Sequence, residues 1–436
     1  MSIEVLTLVM ILSLLITLAL GHPLSFTLGG IAMIFTLGVW GPKGLYMAAT
    51  TAVSSASNET LLAVPLFIFM GTMLQASGIA DELYEMMYHS FGPIKGGLAI
   101  GTVGICTIFA AMAGISAVAT VTMGLIALPS MLKRGYDKSL ALGCIAAGGA
   151  LGILIPPSVT MILYALLARE SVGKLFAGGI IPGILLSGLF ILYVVIRCFL
   201  QPNLAPSVPP EERKSLKEKI ISYKALFWPL LLIGLVLGTI YAGVCTPTEA
   251  SGVGALGSAV VVIINRRFTL KTLFEASTTT FKITAMVMWI VIGSGCFSAI
   301  YNAAGSQELV TNVLANLPGG RWGVFLVLQA IYFILGTFLD PTGIVMLCTP
   351  VFVPVILKLG FNPIWFGVTF IINMEMAYLT PPFGFNLFYL KSIAPSGVGM
   401  MDIYKSVLPF IGLQILCLVL VSVFPELILW LPNMMK

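Results

Sequence analysis

The chain has 436 residues, of which 58% are hydrophobic and only 9% are charged, and its mean hydropathy is +1.06. That is far too apolar for a soluble domain of this length, so the composition describes a polytopic membrane protein. The net charge of +5 sits in short loops, where basic residues report topology rather than binding to nucleic acid.

The first apolar run, Val5 to Leu20, follows Glu4 with no basic residue before it and no small-residue cleavage site after it. It is read as a membrane helix and not as a signal peptide. Stretches of the roughly 20 residues needed to cross a bilayer then occur near 24–41 and 60–77, with Asn58 placed to cap the latter. Asp81 to His89 is short and amphipathic, which predicts an arm lying along the interface. Residues 95–170 are apolar but interrupted, at Gly114-Ile115-Ser116-Ala117 and at Pro156-Pro157-Ser158. A further span is expected at 178–198. The longest polar connection, 201–225, carries Arg213, Lys214, Lys217, Lys219 and Lys224 and is expected in the cytoplasm.

The second half runs through spans near 226–243, 250–265 and 281–301. Thr246-Pro247-Thr248-Glu249 reads as a capping box with proline in the first turn. Residues 320–395 are again interrupted, at Leu339-Asp340-Pro341-Thr342-Gly343 and at Thr380-Pro381-Pro382, before a last span at 406–425. Seven scattered cysteines without C-x-x-C spacing read as small core residues. Two histidines near the edges of apolar segments offer no metal or proton-relay site.

One pattern is written twice. Pro129, Lys133, Gly135, Pro156-Pro157 and Tyr164 recur 225 positions later as Pro354, Lys358, Gly360, Pro381-Pro382 and Tyr389. Paired interruptions in corresponding places point to a transporter built from two repeats. The expected fold is all-α, with a first repeat over 1–200 (hairpin about 95–137, broken helix about 138–170). A linker over 201–225 and a second repeat over 226–436 follow (hairpin about 320–360, broken helix about 362–393). Lys95 precedes the first hairpin and Lys133, Arg134 and Lys138 follow it, so both ends share the cytoplasmic side and the segment must turn back. Counting crossings from the basic loop at Arg266, Arg267 and Lys271 puts the ends of the second hairpin outside. The repeats are then inverted, and both termini are periplasmic.

Irregular backbone at membrane depth is tolerated only where protein or a water-filled cavity satisfies it. Four breaks therefore imply a shared polar centre, where helix ends offer N–H groups to an anion and freed carbonyls offer oxygen to a hard cation. The candidate cation ligands are Gly114, Ile115, Ser116, Gly152, Ile155 and Ser158 in the first half. In the second they are Gly336, Asp340, Thr342, Ala377, Thr380 and Phe383. A structural role stands beside each: Ser116 as a helix cap, and Asp340 as N-cap to Pro341. Ser116, Thr342, Asn373, Glu375 and Asn386 are candidate substrate ligands, with a buried pair between Glu375 and Lys391 as the alternative for the acid.

Pro-Pro-Ser at 156–158, Lys-Leu-Phe-Ala-Gly-Gly at 174–179, Thr-Pro-Thr-Glu-Ala at 246–250 and Thr-Pro-Pro-Phe-Gly at 380–384 together resemble the large membrane subunit of the tripartite ATP-independent periplasmic (TRAP) transporters, of the dicarboxylate and sialic acid type. The resemblance spans essentially the whole chain. It implies an elevator-type, sodium-coupled importer of an organic acid in a bacterial inner membrane, with no other cofactor. It also implies two partners, a small four-helix membrane subunit and a periplasmic substrate-binding protein. Two departures bear on the sites. The first tip, Gly114 to Thr120, has fewer side-chain oxygens than many relatives and would rely on carbonyls; Phe383-Gly384-Phe385-Asn386 replaces the Ile-Gly-Asn of sialic acid members, suggesting a smaller or more apolar carboxylate such as a 2-oxoacid. A stand-alone secondary transporter or antiporter fits the repeat and breaks equally well. A channel lacks a charged ring or carbonyl filter, and an intramembrane enzyme lacks H-E-x-x-H or a paired-Asp motif.

Overall fold

The computed structural model describes residues 2–435, and they form helices and connections with no strand among them. The first half holds α1 (Ile3–Ala19), α2 (Leu24–Trp40), α3 (Leu45–Ala56), α4 (Ala63–Ala76), α5 (Ile79–Phe91), α6 (Gly97–Ala113), α7 (Ser116–Lys133), α8 (Lys138–Ala150), α9 (Val159–Ala168) and α10 (Val172–Leu200). The short α11 (Leu216–Ser222) lies in the connection. The second half holds α12 (Phe227–Tyr241), α13 (Pro247–Ile264), α14 (Leu270–Ala303), α15 (Ser306–Ala315), α16 (Gly320–Gly336), α17 (Pro341–Lys358), α18 (Pro363–Leu379), α19 (Phe385–Ile393), α20 (Met400–Val423) and α21 (Glu426–Met434). Among the described residues eight helical stretches are long and apolar enough to cross a membrane, and α15 and α16, bent by 119° at their junction, make one broken span. The chain is a multi-pass membrane protein.

Local chemistry sets the helix ends. Asn58 accepts a hydrogen bond from Thr60 N at 2.9 Å. Thr246 Oγ1 accepts from Glu249 N at 3.2 Å while Glu249 accepts from Thr246 N at 2.7 Å, the reciprocal pair of a capping box. The amphipathic arm is α5, which buries Ile79, Leu83, Met86 and Tyr88 against α6. Hydropathy alone placed some boundaries late. α14 starts at Leu270 rather than near 281, since Lys271, Glu275 and the polar run Ser277 to Thr280 dilute the hydropathy of its first three turns, and α3, α15 and α21 are too short or too polar to register as spans.

Both interrupted regions fold back on themselves. Thr102, near the start of α6, lies 3.8 Å from the Met131 sulfur near the end of α7, and Leu98 N donates to Tyr136 Oη at 3.3 Å. In the second half the Trp322 ring of α16 sits 5.4 Å from Phe361, just past α17, and Tyr332 sits 5.1 Å from Phe352. α6–α7 and α16–α17 are therefore antiparallel hairpins. Their second helices keep step with the sequence pattern: α7 spans 116–133 and α17 spans 341–358, and both bounds differ by 225.

Two groups of helices pack within themselves. α2, α3, α4, α13 and α14 form one; the two hairpins, α8 to α10 and α18 to α20 form the other. Within the second group the hairpins are exchanged: α7 packs on α19 of the other half, and α17 packs on α9. Gly124 of α7 shows how close this is, because a Cβ there would come within 2.1 Å of Ile393 Cδ1.

Candidate functional site

All four interruptions read from the sequence are breaks in helices. α6 gives way to α7 at Gly114-Ile115, α8 to α9 over 151–158, α16 to α17 over 337–340, and α18 to α19 over 380–384. The Pro156-Pro157 and Pro381-Pro382 peptide bonds are both cis.

In the first half the candidates converge. Gly114 adopts φ +65°, where a side chain is strained, and a Cβ would lie 2.6 Å from the Pro157 carbonyl oxygen. A Cβ on Gly152 would lie 3.0 Å from Ser116 N and from the Ile115 carbonyl carbon. Two glycines thus let one break close on the other by direct backbone approach. Ser158 is fully buried, donates to Ile153 O at 2.6 Å and accepts from Met161 N at 3.4 Å as the cap of α9. Ser116 is not a cap: its Oγ lies 2.9 Å from Gly149 O and 2.7 Å from Asn386 Oδ1. The Ile155 side chain points instead at α10, where a Cβ on Gly183 would meet its Cγ1 at 2.6 Å. Only the backbone of Ile155 is available to the break.

In the second half Asp340 caps α17, accepting from Thr342 N at 3.0 Å, with Thr342 half-buried beside it. Gly336 and Ala377 meet so tightly that a Cβ on the glycine would come 2.3 Å from the alanine Cβ. Thr380 donates its hydroxyl proton to Met376 O at 2.8 Å, leaving its oxygen lone pairs able to accept. Phe383 packs on Phe338, ring centroids 5.8 Å apart, and remains 49% exposed.

Asn373 and Glu375 stand apart from these centres. Asn373 Nδ2 donates to Gln329 O and Oε1 of α16 at 2.8 and 2.7 Å. Glu375 is fully buried, with neither carboxylate oxygen bonded. Lys391 is not its partner, since that ammonium donates to Val398 O at 2.6 Å. Asn386 belongs with the first-half centre although it lies in α19, because its Nδ2 donates to Ala146 O at 3.0 Å. The carbonyls of Ala146 and Gly149 were not singled out from sequence; the Gly148-Gly149 pair inside an apolar helix was the available signal. Among the described residues no three His, Cys, Asp or Glu side chains gather as a metal site. The donors at these breaks are hydroxyl, carbonyl and amide oxygens, plus one carboxylate.

Residues 11–427 match the family model described as "Tripartite ATP-independent periplasmic transporter, DctM component". The chain belongs to this family. It is 34% identical over 409 residues to the C4-dicarboxylate TRAP transporter large permease protein DctM of Pseudomonas aeruginosa, covering 93% of each chain. It is 30% identical to the ectoine TRAP transporter large permease protein TeaC of Halomonas elongata, covering 98% of this chain and 99% of the other. Among solved structures, that of the Alcanivorax borkumensis YdaH transporter superposes with a TM-score of 0.60 at 16% identity, covering 88% of this chain and 89% of that one. That likeness concerns the fold alone. This DctM-family chain is a membrane transport protein, and the four breaks are where its backbone opens.

Proposed function

We propose that this chain is the transport subunit of a sodium-coupled, tripartite importer of a small organic acid in a bacterial inner membrane. A small four-helix membrane subunit braces it, and a periplasmic binding protein delivers the substrate. The observation that carries the reading is the reciprocal seating of the breaks, α7 on α19 and α17 on α9, within a chain of the DctM family. Repeat-equivalent helices that exchange partners are what two repeats related by a two-fold axis produce. On this reading the repeats occupy 1–200 and 226–436 and are inverted, both hairpins are re-entrant, and both termini are periplasmic. The hairpin-and-broken-helix group moves as an elevator against the group formed by α2, α3, α4, α13 and α14.

The cation sites sit at the two centres. Gly114, Ile115, Ser116, Gly152, Ile155 and Ser158 contribute to one, chiefly through carbonyl and hydroxyl oxygens. Gly336, Asp340, Thr342, Ala377, Thr380 and Phe383 contribute to the other, which also has a carboxylate. Oxygen donors of this kind suit a hard monovalent cation. Substrate carboxylate would be met by the helix N-terminus at Ser116 and by the N-terminus and hydroxyl at Thr342, with Asn373 and Glu375 the remaining polar candidates. The names of the relatives place C4-dicarboxylates and ectoine in the family's range. Succinate and pyruvate are accordingly the first probes.

Reconstituted vesicles test this. Uptake of labelled succinate or pyruvate is expected only with the binding protein and small subunit present and an inward Na⁺ gradient imposed. Accumulation by this chain alone from free solution would sink the tripartite reading in favour of a stand-alone carrier, and uptake indifferent to Na⁺ would sink the ion assignment. Thr380→Ala is expected to raise the Na⁺ concentration for half-maximal uptake several-fold, about 1 kcal/mol for one lost oxygen contact. Glu249→Gln, which touches only an exposed helix cap, should leave it in place. Coincident Na⁺ curves for Thr380→Ala and the parent would refute the side-chain role.

A further inference from the structure

A buried side chain of the second half bonds into the first through both ends of its amide. Asn386, at the second position of α19, is fully buried. Its Nδ2 donates to Ala146 O at 3.0 Å, and its Oδ1 lies 2.7 Å from Ser116 Oγ. The Ala146 carbonyl fixes the amide's orientation, since the flipped amide would set oxygen against oxygen there. Ser116 Oγ also lies 2.9 Å from Gly149 O. One hydroxyl proton therefore serves two acceptors, one on α8 and one on α19. A residue of the second half thus holds the hairpin tip and the last turns of α8 in the first half. The tie has no mirror image. The repeat counterparts of Ser116 and Asn386 are Pro341 and Met161, neither of which can make it.

We propose that Asn386 is a positioning residue: from the second half it fixes Ser116 and the end of α8, and so sets the geometry of the first-half cation site. This rests on the cation-site reading above. Because both ends of its amide are used inside protein, Asn386 acts on the ion through Ser116 and does not touch the substrate.

The test uses the purified full-length chain in detergent, titrated with NaCl against KCl at constant ionic strength. The readout is the Na⁺ concentration giving half of the Na⁺-specific rise in unfolding temperature. Asn386→Ala is expected to raise that concentration about tenfold. Ser116→Ala removes the other end of the tie, so the double variant Ser116→Ala/Asn386→Ala should raise the midpoint by clearly less than the product of the two single shifts. Asn386→Ala titrating like the parent would overturn the proposal. So would single shifts that simply multiply in the double variant.

A parent that Na⁺ stabilises no more than K⁺ would sink the cation reading instead. The tie is then still read in KCl alone: the unfolding-temperature losses of Ser116→Ala and Asn386→Ala must be less than additive in the double variant. Additive losses would overturn it there too.

Discussion

Positions 225 residues apart solve the same packing problem in opposite ways. Where the first half has Gly104, Cys144 and Gly148, the second has Gln329, Thr369 and Asn373. Gly148 lets α8 approach α6 until a Cβ would lie 2.9 Å from that of Cys106. Its counterpart Asn373 instead donates to Gln329, whose own amide reaches Thr369 Oγ1 at 3.4 Å. One hairpin is held to its broken helix by close backbone approach, the other by an amide network. The outer helices differ as well: α14 runs unbroken for 34 residues, while the first half covers the equivalent stretch with α3, a turn capped by Asn58, and α4. Small-residue packing and interhelical hydrogen bonds are the two means by which helices associate in lipid. Each half relies mainly on one of them, so residues should not transplant between equivalent positions.

The largest effect is expected from such a transplant. Gly148→Asn adds volume where Cys106 already stands at contact, and buries an amide without the side-chain carbonyl that Gln329 gives Asn373. Overpacking costs about 1–3 kcal/mol and an unsatisfied buried amide about 1–3 more. The drop in unfolding temperature should exceed those of Asn386→Ala and Gly336→Ala, and a variant as stable as the parent would break the comparison.

A second exchange sharpens it. Gly336 of the second hairpin faces Ala377, whereas the positions 225 residues earlier hold Ala111 and Gly152, so the glycine and alanine have traded places. Gly336→Ala would force two Cβ atoms to 2.3 Å and should cost about 1–3 kcal/mol. Adding Ala377→Gly removes the Cβ that the new alanine would strike and should recover most of that loss, less about 1 kcal/mol for glycine within a helix. Thermal unfolding of both variants measures the coupling. Additive losses would show that the contact is not what limits the approach of α18.

These contrasts also mark what the chain states openly. Breaks at Pro156-Pro157, Asp340-Pro341 and Pro381-Pro382 were legible because proline cannot continue a hydrogen-bond ladder, and the caps at Asn58, Thr246 and Asp340 because their partners lie two or three residues away. The bond from Ser116 to Asn386 crosses 270 residues, and no local pattern announces it. Gln329 was equally silent, being one polar residue in an apolar helix whose partners appear only once α16 and α18 are packed. Asn373 and Glu375 were visible as polar residues at membrane depth, but the sequence could not say that Asn373 would turn to α16 while Glu375 remained unbonded. The 225-residue pattern located equivalent positions; which of them were filled by glycine and which by amides decides how each half is held.

The smallest expected difference lies at the feet of the hairpins. Beside α7, Arg134 Nη2 stands 3.6 Å from Glu212 and 3.1 Å from Tyr88 Oη, and Tyr88 donates to Glu212. Lys214 meets Glu85 of α5 at 3.1 Å, and the connecting segment is threaded beneath them, Val208 N donating to Gly92 O and Asp137 N to Leu204 O, each at 2.7 Å. At the foot of α17, Lys358 has a neutral partner, Asn312 Oδ1, at 2.6 Å. The hydrogen bond from Lys214 holds the Glu85 carboxyl below its ordinary range, and that from Tyr88 does the same for Glu212. A carboxylate depressed in the folded state contributes stability above its unfolded-state pKa and loses it as the pH falls through the folded one. Acidification to below the ordinary carboxylate range, about pH 4, should therefore loosen the 201–225 connection and leave the Lys358 contact unchanged. The carboxylates of these ion pairs are solvent-exposed, so the change in hydrogen exchange at Val208 and Asp137 should stay within about fivefold, and Glu85→Gln with Glu212→Gln should abolish it. Equal acid sensitivity at both feet would mean that these carboxylates do not distinguish the two halves.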